Sequence, residues 1–270
     1  MSATLLDQES GGPSDGPTDD APTDTTGAAP RAWLRHLPIP LVVGAGWLAL
    51  YLYITSRDLG STESRILTAS NVRTAFVQHL EISLLATVVV LLLAIPTGIA
   101  LSRPWAKPVA PYVVGLGNIG QGIPAVGTII LAFIILIRSG RDATVVGLVV
   151  YGFLPVLRGT MVGLQQVSAD VIKAARGLGM SKQAVLRQIE LPLSVPVVLT
   201  GVRTTLVLTV STAPLAAFIG GGTLGSFIVS GFTLGRGTVI LTGVVLAAGL
   251  ALLADWVGGI VEDLLRPKGL

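Results

Sequence analysis

From Ile82 to Leu101 the chain runs for 20 residues without a single charged side chain. Water cannot satisfy backbone N–H and C=O groups in a bilayer core, so a run of this length is held as a membrane-crossing helix. Comparable stretches recur along the chain. They predict spans over about Ile39–Ile54, Val77–Leu101, Val109–Ile137, Ala143–Met161, Leu193–Ile219 and Val239–Ile260. The expected fold class is therefore all-α, a polytopic membrane protein with about six transmembrane helices.

Composition narrows the chemistry. Hydrophobic residues make up 51% of the 270 positions and charged residues only 12%, far from a soluble domain. The absence of cysteine excludes disulfides, thiolate metal sites and a cysteine nucleophile. The two histidines, His36 and His79, fall near the ends of apolar spans and are expected at the interface. No catalytic set, no metal-ligand cluster and no cofactor site is expected. His79 near Glu81 is an isolated pair at a span boundary.

Residues 1–30 carry six acids and no Lys or Arg, with Asp, Thr, Pro, Gly and Ala dominating. They read as a disordered acidic tail without the basic start and apolar core of a cleavable leader. The remainder is basic. Its cations are scattered over short loops, which suits membrane lipid and not nucleic acid. With both termini in the cytosol, the inner side collects Arg31, Arg35, Arg103, Lys107, Arg158, Lys173, Arg176, Lys182, Arg187, Arg266 and Lys268. The outer side collects Arg57, Arg65, Arg73, Arg138, Arg141 and Arg236. This bias predicts a multi-pass cell-membrane protein with a first helix and linker over 31–74, a main bundle over 75–260 and a cytosolic tail over 261–270.

The longest polar stretch, Val167–Pro192, reads as helix, glycine turn and helix. Ser168 and Ser181 are candidate caps, Asp170 suits a first turn, and Gly177 and Gly179 permit the turn. Pro192 is expected to stop the second helix. Ala174, Ala175 and Gly179 are small enough for a partner to approach the backbone, and the loop is basic through Lys173, Arg176, Lys182 and Arg187.

Within the spans, Asn118, Gly120, Gln121, Gly122 and Pro124 interrupt the third. Polar backbone at membrane depth is covered by protein or lines a water-filled path, which makes Asn118, Gln121 and Pro124 path candidates. Arg203 lies deep in the fifth span and Asp255 near the end of the sixth. Charges there pair or face water, and an Arg203–Asp255 pair is expected.

The spacing Ala174-Ala175, Gly179, Ile189, Leu191-Pro192 resembles the coupling loop of ATP-binding-cassette (ABC) importer permeases, with Lys173 where that family has Glu. The motifs Gln121-Gly-Ile-Pro124, Tyr151-Gly-Phe-Leu-Pro155-Val-Leu-Arg158, Gly201-Val-Arg203-Thr-Thr and Phe218-Ile-Gly-Gly-Gly-Thr-Leu-Gly225 are similar to its osmoprotectant subfamily, which handles glycine betaine, carnitine, choline and related quaternary amines. Gly122, Thr223 and Ser226 depart from the subfamily pattern. The resemblance covers about residues 75–260. It implies a type I importer permease fold and a loop of Lys173, Ala174, Ala175, Gly179, Ile189, Leu191 and Pro192 that docks on a cytosolic ABC ATPase. It further implies an extracytoplasmic substrate-binding protein and a second permease chain, identical or sister. Tyr151, Arg203 and Asp255 join the path candidates. ATP would be bound by the partner, since the chain has no G-x-x-x-x-G-K-[ST] sequence. Trp47, Tyr151 and a few Phe are too dispersed for an aromatic cage around a quaternary ammonium. A permease for another solute such as methionine shares this architecture. An ion-driven secondary transporter would instead show an internal repeat and deep acidic residues.

Overall fold

The computed structural model describes residues 37–136 and 139–265. The acidic tail, its basic flank Arg31 and Arg35, His36, Arg138, and the end of the chain with Arg266 and Lys268 lie outside the described residues.

Helix α1 (Pro38–Thr55) leads through the short α2 (Ser61–Ile66) to α3 (Ala69–Leu101). Thr68 caps α3 by accepting from the Asn71 amide at 3.3 Å. A turn carrying Arg103 and Lys107 precedes α4 (Ala110–Gly122) and α5 (Ala125–Leu131), the latter prolonged by a π-helical turn over Ala132–Leu136. Then come α6 (Gly140–Gln165), the polar pair α7 (Ala169–Gly177) and α8 (Lys182–Val185), and α9 (Leu191–Thr212). A 3₁₀ segment over Ala213–Ile219 and a glycine loop lead to α10 (Gly225–Thr233) and α11 (Gly237–Leu265).

Among the described residues five helical stretches are long and apolar enough to cross a membrane, and α4 with α5 form a sixth candidate bent by 100°. The neighbours decide what that bent pair does. At one end of the bundle Arg141 of α6 pairs with Glu81 of α3. At the other, Gly98 of α3 lies against Leu157 and Thr160 of α6. Residue numbers rise together, so α3 and α6 run parallel. The chain between them must return across the bundle, and α4–α5 is a broken crossing. The expected third span is thus corrected from one interrupted helix to two. Ile123 adopts an extended ψ of 132°, because a residue before proline is pushed out of the α region, and Pro124 has the same ψ as it caps α5.

Helices α3, α6 and α9 form the core. Gly163 packs on Ser194, Gly159 on Gly201 and Gly152 on Thr205, so α9 runs antiparallel to α6. Gly201 is where contact is closest: a Cβ there would lie 2.7 Å from the Pro155 carbonyl oxygen. Thr205 Oγ1 donates to the Gly152 carbonyl at 2.8 Å, and Thr87 and Thr209 hydroxyls meet at 2.8 Å. Helix α11 packs on α9, and α1 on α11, where the Trp47 indole donates to the Val245 carbonyl at 3.3 Å and meets Phe76 edge-on at 5.9 Å.

Two further expectations are corrected. Pro192 does not stop a helix: α8 runs through a π turn over Leu186–Glu190 straight into α9. The widened turn sits where the proline ring would otherwise crowd the carbonyl four residues back. His79 lies near an end of the bundle but is not exposed there: it is fully buried between helices, because α3 begins eight residues before the expected Val77 and its first turns are covered by their neighbours.

Candidate functional site

The α7–α8 hairpin closes one end of the bundle. Its turns form as the side chains dictate: Ser168 Oγ accepts from the Asp170 amide at 3.3 Å and Ser181 Oγ from the Ala184 amide at 3.1 Å. Gly179 takes φ +87° with open space around it, a conformation that disfavours any side chain. Lys173 is exposed and pairs within its own helix with Asp170 at 3.3 Å.

The small residues do not all face outward. Ala174 and Gly179 are exposed, but Ala175 is only 5% exposed and packs inward, so it is unavailable to a partner as an approach surface. The side chain missed in the sequence is Leu178, 87% exposed. Val171, Ala174 and Leu178 fall three and four residues apart and share one helix face, leaving an apolar stripe uncovered. The signal available in the sequence was the i, i+3, i+7 spacing of Val171, Ala174 and Leu178 in an otherwise polar segment. Ile189 and Leu191 are half-buried and Pro192 exposed.

The hairpin is fastened to the bundle twice. Its chain is continuous with α9, and Glu190, 7% exposed, accepts from Arg103 Nη2 at the end of α3. Sequence reading counted Arg103 only as a surface cation and passed over Glu190. The sign was there: Glu190 is the sole acid between Asp170 and Asp255 and enters an apolar span, where a charge must find a partner. A cavity of about 450 Å³ lies beside this pair, lined by Trp105, Ile172, Arg176 and Lys182 among others.

A second polar group lies within the bundle. The expected pair is present: Arg203 donates from Nε to Asp255 Oδ1 at 2.7 Å and from Nη2 to Oδ2 at 2.8 Å. This fork-on-carboxylate geometry is the strong form of the interaction. Glu262 extends the group, accepting from Arg203 Nη1 at 3.4 Å and from Thr200 at 3.1 Å. A cavity of about 540 Å³ between α6, α9 and α11 opens beside it, lined by Arg158, Thr200, Thr204 and Glu262.

The remaining path candidates are brought together on α4 and α6. Asn118 Oδ1 accepts from Arg158 Nη2 at 2.8 Å, and Gln121 Nε2 donates to the Tyr151 backbone carbonyl at 2.9 Å. That carbonyl lies four residues before Pro155, which has no N–H to give it. Gln121 therefore repairs a gap in α6. Pro124 marks the break that aims Gln121 there. Among the described residues no group of three or more His, Cys, Asp or Glu side chains is placed to hold a metal.

Comparison with known proteins finds transport permeases. The chain is 38% identical over 194 residues to the glycine betaine/carnitine/choline transport system permease protein of Bacillus subtilis, covering 72% of this chain and 88% of that one. It is 39% identical over 178 residues to the osmoprotectant import permease protein of Salmonella typhimurium, covering 66% and 75%. Among solved structures, the inward-facing methionine ABC transporter MetNI superposes with a TM-score of 0.64 at 20% identity, over 74% of this chain and 98% of that one. An amino acid ABC transporter with histidines gives a TM-score of 0.61 at 15% identity, over 78% and 99%. These two share the fold, that of type I ABC importer permeases. Residues 94–267 match the family described as binding-protein-dependent transport system inner membrane component, and the chain belongs to that family.

Proposed function

We propose that this chain is the permease subunit of an ATP-driven importer for osmoprotectants of the glycine betaine, carnitine and choline type. One observation carries the mechanism: an exposed apolar face on α7, joined by the Gly179 turn to α8, which continues unbroken into α9 of the bundle core. Apolar surface of that kind marks a docking site. A cytosolic ATPase seats on Val171, Ala174 and Leu178, with Lys173 and Gly179 at the rim. Its closure on ATP displaces the hairpin, and the displacement passes through Glu190–Arg103 to α3 and through Leu191 and Pro192 to α9. ATP binding and hydrolysis belong to that partner, and this chain takes no cofactor of its own.

The sorting of charge supports the hairpin end as the cytosolic one, since Arg103, Lys107, Arg158, Lys173, Arg176, Lys182 and Arg187 gather there. Both termini then lie in the cytosol. At the opposite end an extracytoplasmic binding protein delivers the solute. The path is completed by a second permease chain, and its polar lining comes from Asn118, Arg158, Thr200, Arg203, Asp255 and Glu262. The substrate class rests on the relatives. Trp47 is engaged by Val245 and Phe76 and is not free to build an ammonium cage, so recognition resides chiefly in the binding protein.

The test is uptake by the importer reconstituted in liposomes with its ATPase and binding protein. Labelled glycine betaine accumulates with ATP, and labelled methionine does not; methionine uptake in its place would reassign the substrate. Leu178→Asp removes the ATPase from the purified complex and leaves the permease folded. Retention of the ATPase by that variant would refute the docking face.

A further inference from the structure

Prolines within the helices leave carbonyls four residues back without an α-helical donor. Pro96, Pro155, Pro196 and Pro214 deprive Leu92, Tyr151, Pro192 and Val210 respectively. Leu92 and Pro192 are exposed, whereas Tyr151 is half-buried and Val210 is buried. Two of these carbonyls receive a side-chain donor from another helix: Gln121 on Tyr151 at 2.9 Å and His79 Nε2 on Val210 at 2.9 Å. A carbonyl oxygen only accepts, so Nε2 of His79 carries the hydrogen. Its Nδ1 has no hydrogen-bond partner, which leaves the Val210 contact as the sole polar purpose of a fully buried imidazole.

The place of this contact matters. It lies where α9 gives way to the 3₁₀ segment, at the end far from the α7–α8 hairpin. There Thr223, at φ +80°, donates to the Ala213 carbonyl at 3.2 Å, and Gly222 lies against Gln78, the neighbour of His79. Helices α3 and α9 are thus joined by Arg103–Glu190 at one end, Thr87–Thr209 between, and His79–Val210 at the other.

We propose that His79 is a positioning residue for transport, whose Nε2–H replaces the amide hydrogen absent from Pro214 and locks the far end of α9 to α3 so that the two helices move as one. This rests on the transport reading above. Displacement of the hairpin then reaches the glycine loop without being absorbed at the proline. Loss of the donor leaves hydrolysis running and uncouples it from solute movement.

The experiment measures labelled glycine betaine taken up per ATP hydrolysed by the complete importer in liposomes. His79→Leu lowers that ratio about tenfold, the scale of one unsatisfied buried carbonyl. His79→Gln, whose amide also donates, keeps most of it. The decisive variant is His79→Leu with Pro214→Ala, because an alanine amide supplies the Val210 carbonyl directly; it restores the ratio to within about twofold. A ratio unchanged in His79→Leu, or a double variant no better than it, overturns the proposal. Should His79→Leu fail to accumulate, yield and thermal midpoint decide: a double variant matching Pro214→Ala supports the bond, and one as poor as His79→Leu refutes it. That comparison needs no substrate, so it stays decidable if glycine betaine proves not to be the solute.

Discussion

Helices α6 and α4–α5 both carry a proline near mid-span, and their fates differ. Pro155 leaves α6 a single helix of 26 residues, whereas the α4–α5 crossing bends by 100° at Pro124. The difference is in the surroundings. Around Pro155, Gly201 allows α9 to press on the backbone and Gln121 satisfies the freed carbonyl. Around Pro124 the preceding Gly122 meets nothing within 4 Å, and nothing resists extension. At these two prolines the outcome follows the packing around each. The break in one helix is also what supplies the donor that keeps the other whole.

That contrast predicts a gradient of effects from the α3–α6–α9 core outward, read as thermal stability of the purified chain. The largest belongs to Arg103→Met, which strands the buried Glu190 carboxylate at a cost of about 3–5 kcal/mol. Replacing both residues by Met recovers most of the loss; a double variant as unstable as the single one would remove the pair from the account. Next comes Gly201→Val, at about 2–3 kcal/mol, because the new side chain meets backbone that cannot rotate aside. A midpoint equal to that of the unaltered chain would mean that α6 and α9 pack less closely than described. Gln121→Leu, at the junction, costs about 1–2 kcal/mol through the orphaned Tyr151 carbonyl. Adding Pro155→Ala should cancel most of this, and persistence of the full loss would show that Gln121 serves another group. The smallest effect belongs to Gly115→Ala on the open face of α4, within about 0.5 kcal/mol. A larger change in the isolated chain would place α4 in the core.

Much of this was legible in the sequence because the bilayer makes the rules severe. The spans follow from uncharged runs, and the Arg203–Asp255 pair from two charges that had nowhere else to go. The caps at Ser168 and Ser181 follow from residue type and position. What was not legible depended on partners far apart in sequence. Ala175 and Ala174 look alike on paper, and only the packing of α7 tells which faces inward. The burial of His79 could not be read while α3 was taken to start at Val77, since a histidine two residues into a helix and one buried ten residues in have identical local sequences. Pro192 misled because its usual effect assumes a regular α-helix, and the π turn ahead of it makes room.

The unbroken stretch from Lys182 to Ile219, 38 residues, has an implication for how this chain can vary. A flexible joint between hairpin and bundle would absorb a gained or lost residue. A continuous helix converts it into a rotation of about 100° and a shift of about 1.5 Å. A single insertion between Leu193 and Thr200 would therefore turn α8 against the core and carry Glu190 away from Arg103 without touching either residue. In this segment spacing is as much a part of the function as side-chain identity, and viable variants should differ in composition while keeping its length.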